Sequence, residues 1–399
     1  MIWAELLFII VIGFFALYLS FLTTLAFFKS THKTKTASKH HRIAVVVPAH
    51  DEEIGIENTV KNLLAIEYPK ESFEVIVVAD NCTDNTAACA AGIGAKVLER
   101  KNPELLGKGY ALRWCFELLS NSPEPYDAYL VIDADSEVSK NILEVINIYL
   151  NEGAEVLQCA DLVKPQPGAW SSEITRIGLA LYNYVKPLGR KVIGFTAGLR
   201  GNGMCFTTKL LAKIPWQAFS QTEDLEYGLV LLLNGVVVTF VPEAKVLALM
   251  PTDPKNAESQ RERWEVGRFP LIKKYGGLLF TSALKKASMK IMDAFIELVT
   301  PAFVNLFAFT ILMLFINAIL LVFGVSDAST LLIIWGILFV LLLYHVIGGL
   351  YISGADKNTF LTLLNAPRFI IWKMLLYLKI ASKGHTKYWV RTARETQKS

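Results

Sequence analysis

The sequence predicts an α/β domain, built from βαβ units round a parallel sheet and carried on α-helical transmembrane segments. Three observations lead there. Residues 42 to about 250 alternate short β-rich runs with helical patterns. Three long apolar blocks flank that stretch, one before it and two after it. Of the 399 residues, 53% are hydrophobic and 19% charged, too apolar for a purely soluble protein and too charged for a pure transporter.

The first block, residues 1–28, is nearly continuous apolar from Ile2 to Phe28, broken by Glu5 and a few hydroxyls. It exceeds the roughly 20 residues that a bilayer crossing needs. A cleaved signal peptide would want a basic start, a shorter apolar run and a small-residue cleavage site. Here the charges come afterwards: Lys29, Lys33, Lys35, Lys39 and Arg42 make residues 29–41 a basic linker. The positive-inside rule then puts the N-terminus outside and the next segment in the cytoplasm.

Residues 42–290 form the expected cytoplasmic domain, in which IAVVV, a helix from about Gly55, FEVIVVA, a second helix and AYLVI follow one another. Two further crossings are expected at residues 291–325, with a spanning core from about Pro301, and at 330–353. Their link, Ser326 to Ser329, carries one acidic residue and no basic one, whereas the tail after Lys357 is basic. Three crossings of the cell membrane, with the middle segment and the tail both cytoplasmic, satisfy this asymmetry. Within 357–399, Pro367 to Ala381 is apolar with Arg368, Lys373 and Lys379 spaced through it, the pattern of an interfacial helix.

A net charge of +4, with Lys and Arg gathered mainly in the linker and the tail, argues against a nucleic-acid-binding surface and for membrane-lipid contact. Five cysteines without CxxC spacing read as reduced thiols. No GxxxxGK[ST] loop occurs, which argues against an ATPase. The apolar blocks hold hardly any ionisable residues besides Glu297 and His345, which argues against an ion transporter, and His345 reads as an interhelical hydrogen-bonding group.

Ligands of open α/β sheets bind beyond the carboxyl ends of the strands. Carboxylates stand at three such ends in succession: Pro48-Ala-His-Asp-Glu-Glu53, Asp80-Asn-Cys-Thr-Asp84 and Asp133-Ala-Asp-Ser136. Aspartate is ordinary in turns, but three clusters on one sheet edge point to a site. Asp133 and Asp135, one residue apart, suit Mg2+ or Mn2+ bound with a diphosphate, because they leave coordination positions for phosphate oxygens. Lys108, in GKGYAL, is either a further cation at this edge or a solvated surface charge.

Ser220-Gln-Thr-Glu-Asp224 reads as a helix start, with Ser220 and Glu223 spaced as a capping box and Asp224 in the same turn, able to accept a proton. In Gln260-Arg-Glu-Arg263-Trp264 an amide, a guanidinium and an indole share one helix face. They either hold a diphosphate and stack a sugar ring, or belong to a membrane-surface helix whose Arg268 and Lys273 face headgroups.

PAHDEE, the DAD triplet, TED and QRERW, the last fitting QxxRW, occur in that order, and through them the chain resembles the membrane-bound family 2 glycosyltransferases. That group includes cellulose, hyaluronan and poly-N-acetylglucosamine synthases, and the likeness covers roughly residues 42 to 290. It implies a GT-A (Rossmann-like) mixed-sheet fold and an inverting transfer of a hexose-type sugar from a nucleotide-sugar, a UDP-sugar by resemblance. Position by position, it implies that His50, Glu52 and Asp80 hold the nucleoside, Lys108 and Asp133 assist the donor, and Asp135 binds the metal beside Asp133. Asp224, with Glu223 beside it, is then the catalytic base, Gln260, Arg263 and Trp264 position the diphosphate and the acceptor end, and Gly201-Asn202-Gly203-Met204 resembles the family's acceptor-side loop. Where an aromatic residue often precedes the acidic pair of the first motif, this chain has His50.

Three spans leave little material for a polysaccharide channel, so the expected acceptor is a membrane-held saccharide or lipid-linked molecule of exopolysaccharide or cell-envelope assembly. A processive synthase working as a homo-oligomer or with a partner is the alternative within this chemistry. A non-catalytic nucleotide-sugar sensor or scaffold is the alternative outside it.

Overall fold

The computed structural model describes residues 2–28, 39–166, 168–250 and 258–383, so Lys29, Lys33, Lys35 and the tail from 384 lie outside the described residues. In chain order the elements begin with α1 (Ile2–Phe27), β1 (Ile43–Ala49), α2 (Ile56–Leu64), β2 (Phe73–Asp80), α3 (Thr86–Gly92) and β3 (Lys96–Arg100). There follow α4 (Lys108–Ser120), β4 (Ala128–Val131), β5 (Ser136–Val138), α5 (Ile142–Asn151), β6 (Val156–Val163) and α6 (Trp170–Ala180). A π-helical turn, Leu181–Val185, leads into α7 (Lys186–Val192), β7 (Met204–Thr207), α8 (Thr208–Lys213), α9 (Glu223–Leu233) and β8 (Thr239–Ala248). The rest is helical: α10 (Glu258–Val266), α11 (Arg268–Lys285), α12 (Met289–Val299), α13 (Phe303–Val322), α14 (Ala328–Ile352), α15 (Lys357–Thr362) and α16 (Ala366–Lys383).

One sheet orders its strands β3, β2, β1, β4, β7, β6, β8, β5. The first four pair in parallel, as the alternating pattern predicts. Beyond β4 the expectation of a parallel sheet fails, because β7 lies antiparallel to both β4 and β6, with Cys205 opposite Leu130 and Leu157. The outcome is the mixed sheet of the GT-A fold. Alternate residues of β1 serve two cores: Ala44 and Val46 pack with Leu112 and Phe116 of α4, while Val45 and Val47 pack with Val60 of α2 and Ile146 of α5. A strand buried on both faces must be apolar throughout, hence the unbroken run IAVVV.

Among the described residues, three helices are long and apolar enough to cross a membrane: Glu5–Phe27 within α1, then α13 and α14. Near one end of the bundle the Glu5 carboxylate accepts from Trp335 Nε1 at 2.7 Å and Asn317 Nδ2 at 3.1 Å, joining all three helices. Nearer the sheet domain, Thr23 and His345 Nδ1 lie 2.6 Å apart, so His345 is the interhelical hydrogen-bonding group expected. Ala26 of α1, Phe303 of α13 and Val346, Leu350 and Ile352 of α14 pack into the core on the α4 face of the sheet, so the domain meets the bundle at one end. Glycine permits the contact, since a Cβ on Gly189 of α7 would stand 2.2 Å from the Leu22 carbonyl oxygen of α1.

Residues 291–325 are not one helix, and the helix long and apolar enough to span begins at Phe303, close to the core expected from about Pro301. The helix α12 ends at Val299, Thr300 is extended (φ −61°, ψ 121°), and α13 starts at Phe303. Pro301 explains the break, because it disfavours helical backbone at the preceding residue and lacks an N–H. The preceding helix, α12, buries Asp293 and Glu297. Arg190 of α7, 1% exposed, donates to Asp293 at 2.8 Å and to Glu297 at 2.7 Å, and Tyr18 of α1 donates to Asp293 at 2.7 Å. Lys186 adds a second cation at 2.7 Å from Glu297. Packing of α16 also goes beyond an interfacial helix, since Lys373 and Leu376 are buried. All five cysteines are free, and Cys115, Cys159 and Cys205 are buried.

Candidate active site

A cavity of about 1910 Å³ opens at the carboxyl ends of β1, β2 and β4 and continues along α6, α9 and α10 to α13, α14 and α16. Of the residues to which the resemblance gives a role, all but Gly203 and Met204 line it. At its sheet end His50 Nδ1–H donates to the Asp80 carbonyl oxygen at 2.7 Å, and the Glu52 N–H donates to Thr86 Oγ1 at 2.7 Å. The Asp80 carboxylate takes Arg100 of β3 and Asn81 Nδ2, and burial pushes its pKa up against the pull of Arg100. Asp51 at φ 54° turns the chain sharply here and accepts from Thr83, which holds the first two strand-end loops together.

Lys108 opens α4 and reaches across the sheet edge to the Asp133 carboxylate and the Gly201 carbonyl oxygen, so it is no solvated surface charge. Burial opposes its charge, but Asp133, Glu223 and Asp224 more than offset that and raise its pKa. The close approach of α4 needs glycine at 109, where a Cβ would stand 2.3 Å from the Ala218 carbonyl oxygen. Glu223 and Asp224 begin α9, whose N-terminal dipole favours carboxylates. The expected Ser220–Glu223 capping box is not formed. Thr222 is the N-cap residue and Glu226 Oε2 accepts the Ser220 N–H at 3.2 Å, because α9 starts later than the spacing implied and frees Glu223 for the cavity. Thr222 Oγ1 donates instead to the Gly267 carbonyl oxygen at 3.2 Å.

Beyond Glu52 and Asp80, the further carboxylates Asp133, Asp135, Asp161, Glu223 and Asp224 line the cavity, together with Lys108 and Arg263. Burial, then Asp224, raise the Glu223 pKa to about 7. Burial raises that of Asp224 too, although the Leu225 N–H, Lys108 and Arg200 favour its charge. Asp161, missed by the sequence reasoning, is raised well above the usual range by burial and by Asp133. Its signal was a lone carboxylate inside the apolar strand β6, held there by Asn183 at 2.9 Å.

This excess of negative charge, on oxygen ligands only, suits a hard divalent cation. Asp133 and Asp135 do not form a closed cage of three ligands; among the described residues, ligand atoms that close together belong to Asp51, Cys82 and Asp84. Two aspartates with positions left open are what a cation shared with a diphosphate requires.

Asn202 and Gly203, expected on the acceptor side, brace the site from behind. Asn202 is 3% exposed, its Oδ1 accepts the Asp133 N–H at 3.1 Å and its Nδ2 donates to Ser136 at 2.8 Å, so it shapes the DAD turn. Gly203 (φ 70°) fills a place where a Cβ would meet Cys159 and Val246 at 2.9 Å. Gln260, Arg263 and Trp264 share the cavity face of α10, as their spacing predicts. The membrane-surface alternative does not describe Arg268, which donates to the carbonyl oxygens of Glu297, Leu298 and Thr300 and closes the end of α12. Arg261, in the same motif, is buried between Ser171 and Thr175 of α6 and the rings of Phe369 and Trp372 of α16, and burial lowers its pKa to about 10.

The profile of the family described as "Glycosyltransferase like family 2" matches residues 40–267. A β-monoglucosyldiacylglycerol synthase of Nostoc sp. is 25% identical over 253 residues, which are 61% of this chain and 52% of that protein. The chain thus spans about half the length of that relative. The probable glycosyltransferase YdaM of Bacillus subtilis is 25% identical over 331 residues, 79% of this chain and 76% of that protein. Among solved structures, the mannosyltransferase PcManGT of Pyrobaculum calidifontis, in complex with GDP-Man and Mn2+, superposes with a TM-score of 0.51 at 15% identity. That match covers 88% of this chain and 98% of the other, and at such identity the likeness is one of fold.

Proposed function

Because this chain belongs to glycosyltransferase family 2, we propose that it is a membrane-anchored inverting transferase that moves a hexose-type sugar from a UDP-sugar to a membrane-held lipid or lipid-linked saccharide. The observation that carries this reading is the single cavity joining the carboxylate-rich sheet edge to the faces of α13, α14 and α16. A relative named as a glycolipid synthase favours a lipid acceptor. The N-terminus lies outside and the catalytic domain in the cytoplasm, a reading supported by the basic residues that follow the first apolar block in the sequence and by the basic tail.

In this reading His50, Glu52 and Asp80 line the nucleoside end, and Asp133 and Asp135 hold Mg2+ or Mn2+. The cation, when bound, supplies positive charge to the departing diphosphate. Lys108, already extended across the sheet edge, and Arg263 add fixed charge on the same group. Asp224 takes the proton of the acceptor hydroxyl as its oxygen attacks the anomeric carbon opposite the leaving group. Its raised pKa makes it a better base than an exposed aspartate. Trp264 offers the acceptor a flat apolar surface.

The test is nucleoside diphosphate release by the purified protein, with UDP- and GDP-sugars, Mg2+ or Mn2+, and membrane lipid extract as acceptor. Metal-dependent release from one donor, lost in Asp135→Ala and Asp224→Asn, is the expected result. Absence of release from every donor would sink the proposal in favour of a scaffold, and long polymer in place of singly extended product would favour a processive synthase.

A further inference from the structure

Beside the carboxylates lies a second charged group, of which Lys186, Arg200 and Glu297 line the cavity. Lys186, Arg190 and Arg200 gather there round Asp293 and Glu297, three cations against two carboxylates. Arg190 and Lys186 occupy Glu297 at 2.7 Å each, so Arg200 reaches it only at 3.5 Å. The Arg200 side chain is 4% exposed, yet its Nε has no hydrogen-bond partner. Lys186 and Arg200 flank the Tyr182 ring, 4.4 and 4.2 Å from its centroid, and all three line the cavity. A buried guanidinium whose Nη2 reaches a shared carboxylate only at 3.5 Å and whose Nε donor is unused is incompletely satisfied, and an anion would complete it. Burial, together with Arg190 and Arg200, pulls the Lys186 pKa down to about 7 despite Glu297, as expected of a cluster with one positive charge too many.

We propose that Arg200 and Lys186 bind a phosphate or phosphodiester in the head of the lipid acceptor. The inference rests on the function proposed above and narrows its acceptor from any membrane lipid to an anionic one. Two observations place the head here rather than at the diphosphate of the donor. Arg200 immediately precedes Gly201, where a Cβ would stand 3.2 Å from Asp224 Oδ2, and its charge favours the Asp224 carboxylate, so an anion on Arg200 would lie on the same side of the site as the base. In the other direction the cavity runs on past Phe303, Phe307 and Val346 of α13 and α14, an apolar wall that suits a lipid chain. Arginine and lysine also divide the work well, the first offering directed donors to phosphate oxygens and the second a point charge.

The test reads binding without donor. The full chain, purified in a non-ionic detergent, is titrated by thermal melting with hexadecyl phosphate, hexadecanol or inorganic phosphate. Half-saturation by hexadecyl phosphate at a concentration at least tenfold below that of the other two is the expected result. Arg200→Gln raises that concentration about tenfold and leaves the hexadecanol curve in place. If this variant fails to fold, the three wild-type titrations still decide: equal curves for alcohol and phosphate overturn the inference, and inorganic phosphate acting as strongly as the alkyl phosphate overturns its lipid part. Because none of these curves needs a sugar donor, failure of the transferase reading would show itself separately, as absent nucleoside diphosphate release.

Discussion

Thr222 Oγ1 donates to the Gly267 carbonyl oxygen at 3.2 Å, and this contact ties the helix that starts with Glu223 and Asp224 to the end of the helix that presents Gln260, Arg263 and Trp264. Two motifs far apart in the chain are thereby set at a fixed distance across the cavity. A Cβ on Gly267 would stand 2.8 Å from the Thr222 methyl group. Gly267→Ala is therefore expected to lower donor turnover about tenfold or more, since small misplacements of catalytic groups are expensive. Parallel melting curves check that the loss is not one of folding, and turnover within twofold of wild type would refute the coupling.

Asp224→Asn should reduce nucleoside diphosphate release by about 10²- to 10⁴-fold, the contribution of a positioned base. Donor binding, measured by equilibrium dialysis with labelled nucleotide-sugar and metal, should persist. A variant that keeps its turnover would remove Asp224 from the mechanism.

Glu223 gives the free protein a pH-dependent stability. Its folded pKa of about 7 exceeds its ordinary value of 4.5, so folding favours the protonated form. The contribution is complete below pH 4.5 and is lost as pH rises through about 7. Between pH 5 and 8 the melting temperature of wild type should therefore fall relative to Glu223→Gln. Parallel curves for the two proteins over that range would show that Glu223 does not titrate there.

Asn202→Ala leaves the Asp133 N–H without its acceptor and Ser136 without its donor, behind the carboxylates of the DAD turn. By analogy with outer partners of metal ligands, the metal concentration for half-maximal activity should rise about 10- to 100-fold. Added metal should restore the maximal rate. A loss that excess metal does not restore would assign Asn202 a role at the acceptor instead.

Asp293→Asn breaks one pair of the buried cluster and leaves Arg190 with Glu297, which it already shares with Lys186. Removal of one partner from a buried ion pair costs about 3–5 kcal/mol. Denaturation of the detergent-purified variant should therefore show a large loss of stability, whereas Tyr18→Phe, which removes one hydrogen bond to Asp293, should cost about 1 kcal/mol.

The features legible in the sequence are those that one-dimensional patterns encode. The unbroken IAVVV and FEVIVVA runs announce strands covered on both faces, and the length of α1, α13 and α14 announces spans, because burial and bilayer thickness each set a local composition. Asp80, Asp133 and Asp135 are visible because a site at the strand ends needs its carboxylates just after each apolar run. The tertiary structure alone decided the direction of β7, the brace that Asn202 makes under Asp133, and the meeting of Arg190 with Glu297. Each of these depends on a partner brought near by the fold. A buried charge or amide is stable only beside the group that completes it, and nothing in the local composition says which distant residue that will be.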